Sequence, residues 1–208
     1  MERIVITIAR QYGSGGRSIG LMLAERLGLN FYDKEIIRLA SEASGLKEEL
    51  FGRVDEYVSN AKPSWFKKNG IYTGEILPPS SKDYTSEENL FNIQAKVMRD
   101  LAEKESCVII GRCSNFVLKD NPNVISIFVH ASDEFRIEKA SEKLSMTGKE
   151  LDEFLLKDDK RKMDFYRRFT GGEWYDARNY DLSLNSSKLG YEKCIREIRN
   201  RIEMMQEK

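Results

Sequence analysis

Several residue types are scarce in this sequence, and each shortage argues against a class of site. A single histidine, His130, among 208 residues makes a histidine-based catalytic triad or a multi-histidine metal site implausible. The three cysteines form no C-x-x-C pair, which argues against a disulfide framework or a zinc site. No apolar run is long enough for a signal peptide or a membrane span, so we expect a cytoplasmic protein.

Net charge is also absent, because 34 Lys and Arg residues balance 34 Asp and Glu residues. A balanced chain has no global field that draws it to nucleic acid or to an anionic membrane, so we expect neither as a partner. Any site for an anion must be local, and the expected partner is a small molecule. The sequence gives no indication of the oligomeric state.

Apolar segments and helical patterns alternate along the chain. Runs rich in β-branched residues predict strands at 4–9, 30–32, 107–110, 124–129 and 182–184. Apolar residues at three-to-four spacing predict helices at 18–27, 34–43, 87–103, 133–144 and 191–205. Thr85 and Asp133 are expected to cap the third and fourth helices. The alternation indicates an α/β fold with a mostly parallel central sheet, in a single domain spanning 1–208.

Two segments interrupt this alternation. Residues 46–84 carry proline, glycine and serine turn signals among scattered aromatics, which favours an irregular insertion, although a long surface loop stays an alternative. Residues 157–179 form a highly charged helix that runs into Thr170-Gly171-Gly172. Because this second segment has few large apolar residues before Trp174, we expect it to dock onto the core through phosphate rather than through buried area.

A glycine-rich turn at 11–18 connects the first strand to the first helix. Backbone N–H groups of such a loop and the positive end of the helix suit a phosphate, although a turn of this kind can also serve close packing. Aligned on a Walker A loop, Gln11 replaces the first glycine, Arg17 replaces the lysine, and Ser18 supplies the hydroxyl that binds Mg²⁺. The predicted phosphate-binding residues are Gly13, Ser14, Gly15, Gly16, Arg17 and Ser18.

Arg17 is compatible with this chemistry. A guanidinium can bind phosphate oxygens in two-pronged fashion, whereas lysine acts as a compact point charge. A cation in the first turn of a helix is disfavoured by the helix dipole. Arg17 is therefore more easily explained as a ligand of a bound phosphate than as a solvent-exposed side chain.

Three further stretches, 31–37 (FYDKEII), 108–112 (VIIGR) and the basic helix 157–168, complete a pattern. With the glycine-rich turn they resemble the cytidylate kinase-like family of P-loop nucleoside monophosphate kinases, over residues 4–187. The resemblance implies a P-loop NTPase-type three-layer α/β/α sandwich with two helical or irregular insertions. It also implies that 46–84 binds the acceptor nucleotide, that 157–179 is a lid, and that ATP and Mg²⁺ are used.

The resemblance implies acceptor contacts as well. Asp33 occupies the place of the family aspartate that helps to hold the acceptor, Arg38 is nearest to an arginine later on that helix, and Arg112 is the candidate for the acceptor phosphate. Two positions depart from the family, since Lys34 replaces a serine that touches the base and Cys113 replaces an aspartate that contacts cytosine. These departures imply a divergent branch of the family.

The basic helix supplies the remaining candidates. Arg161, Arg167 and Arg168, together with Arg17, are predicted to neutralise charge during phosphoryl transfer, although a solvated face of paired charges is an alternative. The predicted activity is ATP-dependent phosphorylation of a nucleoside monophosphate, most readily CMP or dCMP. Two alternatives stay open, namely a kinase of another small molecule and a non-catalytic nucleotide-binding regulatory protein.

Other chemically suggestive side chains have structural interpretations. His130 is interpreted as a strand-end packing residue and Cys113 as a small packing residue. Trp65 and Trp174 are expected to be buried against the core.

Overall fold

The computed structural model describes residues 3–56 and 72–207 and contains one parallel sheet. Its strands lie in the order β2-β3-β1-β4-β5, and every pairing is parallel. Their bounds are β1 Val5–Arg10, β2 Asn30–Tyr32, β3 Cys107–Ile110, β4 Val124–His130 and β5 Leu182–Asn185. All five strands are where the sequence predicts them.

Eight α-helices within the described residues connect and cover these strands. Their bounds are α1 Gly16–Leu27, α2 Glu35–Ser44, α3 Glu48–Glu56, α4 Glu87–Lys104, α5 Ser114–Val117, α6 Asp133–Ser141, α7 Gly148–Thr170 and α8 Ser186–Gln206, with a 3₁₀ turn at Ala177–Asn179. Non-helical backbone at Gly190 divides α8, so its regular part coincides with the predicted helix 191–205. Within 3–56 and 72–207, the helices are too short or too polar to cross a membrane.

Helices cover both faces of the sheet because its central strands are apolar on both sides. Along β1, Ile6 and Ile8 belong to a core cluster that includes α1 and α8, whereas Val5 and Ala9 belong to a second cluster on the α4 face. This alternation follows from the two-residue period of a strand. The three-layer α/β/α sandwich predicted from the sequence is confirmed.

Two helix caps differ from the prediction by one residue each. Ser86 caps α4 and accepts a hydrogen bond from the Asn89 N–H, and Ser132 caps α6 in the same manner. The expected cap at Thr85 is therefore wrong, and Asp133 is instead the first residue of α6. There its carboxylate lies in the first turn, where the helix dipole favours negative charge.

The first insertion is more ordered in its described parts than its composition indicates. It begins with α3, whose Phe51 and Val54 are buried in the α4-side core. Residues 72–77 precede α4 in the chain and are held by its buried Asn89 and Asn92, whose amide oxygens accept hydrogen bonds from the N–H groups of residues 77 and 74. Trp65 lies in 57–71, outside the described residues.

The second insertion begins within α7, a single 23-residue helix that starts at Gly148. Its C-terminal half is core, because Phe165, Tyr166 and Phe169 are buried and Phe169 stacks on Phe91 of α4 at 4.1 Å between ring centroids. Trp174 is also buried, as predicted. The expectation that this segment docks through phosphate rather than buried area is therefore wrong for its C-terminal half.

Candidate active site

Two cavities lie side by side at the carboxyl ends of β1 and β3, the edge at which parallel α/β sheets bind ligands. The loop cavity, about 420 Å³, is bounded by the glycine-rich turn and by side chains of α6 and α8. The arginine cavity, about 400 Å³, is bounded by the ends of β1 and β3, by α2, α3 and α7, and by Trp174. Arg10 and Lys162 line both cavities, so the cavities meet at these two cations.

The glycine-rich turn is held tightly by its surroundings. Gly13 and Gly15 have φ values of +77° and +76°, which glycine adopts without strain. A Cβ at Gly13 would lie 2.5 Å from the carbonyl oxygen of Arg136, and one at Gly15 would overlap the ring of Tyr191. The hydroxyl of Ser14 donates to the Gln11 carbonyl at 2.9 Å. These glycines therefore allow close packing, one of the two roles that the sequence left open, and the same turn lines a cavity.

Gln11, in the place of the first Walker glycine, connects the turn to α7. Its Nε2 donates to Tyr175 Oη at 3.2 Å and to Asp159 Oδ2 at 3.4 Å, and its Oε1 accepts from the Ala131 N–H at 3.2 Å. The amide thus joins the turn, the end of β4 and the second insertion. No glycine could make these contacts, which gives the departure from the Walker pattern a physical reason.

The carboxylate of Asp33 lies next to three arginines, which come from β1, from α1 and from the turn after β3. Arg17 Nε of α1 donates to Asp33 Oδ2 at 2.7 Å, and the guanidinium nitrogens of Arg10 and Arg112 lie 3.9 Å and 3.5 Å from Oδ1. Arg112 also donates to the Asp33 carbonyl oxygen at 2.7 Å. Burial alone would raise the pKa of Asp33, but these arginines hold it below its ordinary value. The carboxylate therefore stays charged and orients the arginines.

The turn after β3 has an unusual backbone that places Arg112. Gly111, Arg112 and Cys113 have φ values of +71°, +52° and +56°, three successive left-handed residues of which only the first is glycine. Each non-glycine residue in this region costs about 1 kcal/mol or more. Cys113 is buried in the core, as predicted for a packing residue. Strain of this kind concentrates at functional sites.

Arg10 is a site residue that the sequence reasoning missed. It is the last residue of β1, and its side chain passes between two glycines: a Cβ at Gly16 would lie 2.5 Å from Arg10 Cβ, and one at Gly111 would lie 2.5 Å from Arg10 Nη1. A charged residue that ends an apolar central strand, next to two glycine motifs, was the available signal.

Lys162, from the middle of α7, is the second missed residue. Its side chain is only 15% exposed and forms an ion pair with Asp158, while its Nζ lies 5.8 Å from the ring centroid of Tyr12 in the glycine-rich turn. Burial and the nearby charge of Arg10 lower the pKa of Lys162 to about 8, against the opposing effect of Asp158.

The neighbouring carboxylates of α7, Asp158 and Asp159, pair with different cations. Asp159 forms an ion pair with the buried Arg136 at 2.7 Å, and Arg136 Nε donates to the Tyr12 carbonyl at 2.8 Å. Asp158 pairs with Lys162 and with Arg161, the latter at 2.8 Å. Burial raises the pKa of Asp159, whereas Lys162 and Arg161 outweigh burial and lower that of Asp158. Through these pairs α7 is fixed over the glycine-rich turn.

A profile of the cytidylate kinase-like family matches residues 5–188. The chain belongs to the cytidylate kinase-like family. No curated protein sequence matches the chain. A solved structure of an uncharacterized protein from Eubacterium ventriosum ATCC 27560 is similar, with a TM-score of 0.71 and 25% identity over 97% of this chain and 99% of that chain.

Two kinases share the fold at lower identity. Shikimate kinase from Bacteroides thetaiotaomicron has a TM-score of 0.53 and 13% identity, over 96% of this chain and 98% of that chain. A gluconokinase from Sinorhizobium meliloti 1021 has a TM-score of 0.53 and 12% identity, over 98% of this chain and 95% of that chain. The P-loop kinase fold predicted from the sequence is thereby confirmed, and the chain is a kinase-like protein of that fold.

The cations predicted on α7 lie in different places in this cytidylate kinase-like chain. Arg161 lines the arginine cavity. Arg167 forms an ion pair with Glu173 at 2.6 Å and Arg168 with Glu87 at 2.5 Å, and neither is among the described residues that line the two cavities. Their catalytic role, like that of Arg161, stays a prediction.

Arg38 is also outside both linings as far as the structure describes them. It lies on α2, is about half exposed, and pairs with Glu42 one turn later. Lys34, which departs from the family pattern, does line the arginine cavity. His130 ends β4 beside Phe128, with ring centroids 6.3 Å apart, consistent with strand-end packing.

Ser18 lines the loop cavity, where the resemblance places a magnesium ligand. Among the residues that the structure describes, no cluster of three or more His, Cys, Asp or Glu side chains could hold a metal. A single serine hydroxyl from the protein is nevertheless enough for Mg²⁺ in a P-loop, because the other oxygen ligands of Mg²⁺ come from phosphates and water. The residues present therefore fit a magnesium ion that is carried in with a nucleotide.

Proposed function

We propose that the chain is an ATP-dependent phosphotransferase that phosphorylates a nucleoside monophosphate, CMP or dCMP most readily, to the diphosphate. The observation that carries this proposal is the junction of the loop cavity and the arginine cavity at Arg10 and Lys162. Two substrates that each fill one cavity would bring their phosphates together at two cations. Phosphoryl transfer needs this arrangement, because its catalysis is mainly positioning and electrostatic stabilisation.

The loop cavity suits the phosphates of ATP. Its wall combines the backbone of the glycine-rich turn and the N-terminus of α1 with the side chains of Arg17 and Ser18. Lys139 of α6 and Lys143, which follows that helix, also line this cavity and outnumber the one acid there, Glu142. In this arrangement Ser18 would hold Mg²⁺, which when bound neutralises charge on the phosphates.

The arginine cavity suits an acceptor that combines an anionic group with a flat ring. Its described lining contains five cations, Arg10, Lys34, Arg112, Arg161 and Lys162, and one acid, Asp33. These five cations outnumber the two carboxylates that pair with them, Asp33 and Asp158, so the cavity keeps an excess of positive charge for a phosphate. The rings of Phe165, Tyr166 and Trp174 line the same cavity and offer apolar surface to a base.

The reaction needs little acid–base chemistry from the protein. An oxygen of the acceptor phosphate forms a bond to the γ-phosphorus of ATP while the bond from that phosphorus to the bridging oxygen breaks, which releases ADP. A nucleoside monophosphate is already a dianion near neutral pH, so no base has to remove a proton. The protein holds both phosphates, keeps them in line and stabilises the spreading negative charge.

A coupled assay of ADP release from ATP, run across acceptors, tests the proposal. CMP and dCMP are expected to give the highest kcat/KM among CMP, dCMP, UMP, AMP and GMP. Shikimate and gluconate belong in the same panel, because kinases bearing their names share the fold. If only shikimate or only gluconate is phosphorylated, the acceptor is that compound and the proposal of a nucleotide acceptor is wrong. ATP binding without turnover on any acceptor would favour a nucleotide sensor.

Arg112→Ala tests the assignment of the two cavities. We expect it to raise the KM of the acceptor at least tenfold and to change the affinity for ATP less than threefold, because Arg112 lines only the arginine cavity. Arg26→Ala is the matched control, since Arg26 lies on α1 in an exposed pair with Glu192. Equal damage to both substrates by Arg112→Ala would mean that this arginine supports the structure as a whole.

A further inference from the structure

Lys162 has the position of a phosphate ligand and not only that of a structural lysine. Its buried side chain lines both cavities at their junction, between the ring of Tyr12 at 5.8 Å and that of Trp174 at 6.0 Å. A lysine that served only to neutralise Asp158 would be redundant, because Arg161 already pairs with that carboxylate at 2.8 Å.

The arginine at the Walker lysine position, Arg17, lines the loop cavity but is also bonded to Asp33. Arg17 is 58% exposed, and its Nε donates to Asp33 Oδ2, a carboxylate that lines the arginine cavity. Its ring neighbour is Phe31, with the guanidinium carbon 5.4 Å from the centroid. One of the donors of Arg17 is thus bound to a protein carboxylate and is not available to a phosphate. The compact ammonium that a Walker lysine supplies is also missing from α1.

We infer that Lys162 is a catalytic residue that contacts the transferred phosphoryl group and supplies from α7 the ammonium that the glycine-rich turn lacks. This inference rests on the proposed phosphotransferase function and adds to it a residue and a position. An ammonium at the junction of the cavities would touch oxygens of the γ-phosphoryl group as it is transferred from ATP to the acceptor and ADP leaves. Lys162 transfers no proton during the chemical step, because the ammonium that is present once ATP has bound acts only as a positive charge.

The charges around Lys162 support a site that is prepared for an anion. Asp158 and Asp159 face it from α7, and Arg10 faces it from β1. Burial and Arg10 disfavour the ammonium form, so its pKa falls to about 8 in the absence of ligand. A phosphate dianion placed between Arg10 and Lys162 would relieve the repulsion between these two cations, which makes phosphate binding and lysine protonation mutually favourable.

Lys162→Met tests this inference by binding as well as by turnover. Calorimetry should show about a tenfold loss of affinity for ATP and less than a threefold loss for ADP, since Lys162 is placed at the γ-phosphate. In the coupled assay, kcat should fall by about 10²–10³, the size of effect produced by removing one transition-state donor. Lys162→Arg should recover most of the preference for ATP over ADP, and Arg17→Met should leave more of it than Lys162→Met does.

Lys149→Met is the matched control. Lys149 lies on the same helix, is 91% exposed, and its Nζ is 3.9 Å from Glu153, so its loss should leave both affinities and kcat unchanged. Thermal melting of each variant shows whether it is folded at the assay temperature. If Lys162→Met melts below that temperature, Lys162→Gln is used in its place.

Equal loss of ATP and ADP affinity in a folded Lys162→Met variant would overturn the inference and leave Lys162 a structural residue. Full kcat in that variant would overturn it as well. The inference and the proposed function fail separately: wild-type protein that turns over no acceptor removes the proposed reaction, whereas the comparison of ATP with ADP binding needs no turnover.

Discussion

Gly111→Ala is a small change that should damage the site through Arg10. A Cβ at position 111 would lie 2.5 Å from Arg10 Nη1, whereas ordinary contacts begin at about 3.4 Å. The guanidinium, which lies at the junction of the two cavities, therefore has to move by about 0.9 Å away from residue 111, and misplacement on the order of 1 Å can cost about 10²-fold in rate. We expect kcat/KM in the coupled assay to fall by about 10–100-fold.

The same substitution also adds backbone strain, which has to be separated from the effect on Arg10. Gly111 has φ +71°, so an alanine there should cost about 1–2 kcal/mol of unfolding free energy. Gly28→Ala is the matched control, because Gly28 has φ +63° and a Cβ there would meet nothing within 4 Å. Urea denaturation should show similar losses for both variants, and only Gly111→Ala should lose activity. If both keep wild-type kcat/KM, the position of Arg10 does not matter for the reaction.

Two further predictions concern charge. Asp33→Asn should lower the free energy of unfolding by about 2 kcal/mol at pH 7, since three arginines lose a shared anion. Because the folded pKa of Asp33 is below its ordinary 3.8, this contribution is present above about pH 4 and is lost as the pH falls further, so the wild-type and variant stabilities should converge in acid denaturation experiments. For Lys162, with a pKa of about 8 against an ordinary 10.5, binding of ATP at pH 8 should take up about half a proton. Calorimetry in buffers of different ionisation enthalpy should detect this uptake in the wild type and not in Lys162→Met, and equal uptake in both would assign the proton elsewhere.

The sheet and its covering helices could be predicted because their signals are local. β1, β3 and β4 are apolar runs of four to seven residues, and a parallel sheet buried on both faces requires such runs. The helix caps were missed by one residue because Thr85 and Ser86, like Ser132 and Asp133, offer adjacent side chains that can each accept the capping hydrogen bond.

The two cavities are lined by the glycine-rich turn, Asp33 and Arg112, to which the motif and the family resemblance point. Their roles in binding stay predictions. Lys162 was missed because it resembles its basic neighbours on α7 in sequence. The apolar residues Leu155 and Phe169 are both buried and lie seven residues to either side of it, so the inward stripe of the helix passes through position 162. A lysine on a stripe otherwise occupied by core residues was the signal, whereas Arg167, one of the cations that were selected, is half exposed.

The place of Arg10 in the site could not be predicted from any local sequence pattern. Its guanidinium is placed by Gly16, which follows in the same turn, and by Gly111, which is a hundred residues away and adjacent only because β3 pairs with β1. Contacts of this kind follow from strand order, and strand order is a property of the whole fold.

α7 is held at two separate places along its length. Phe165 and Phe169 are buried in the core on the α4 side, whereas Leu151 and Leu155 are buried against Ala140 of α6. Lys162 lies between these two supports, in the turn that follows the ion pair of Asp159 with Arg136. Tilting the helix about one support would break the contacts at the other. The position of Lys162 at the junction of the cavities therefore depends on both hydrophobic clusters at once.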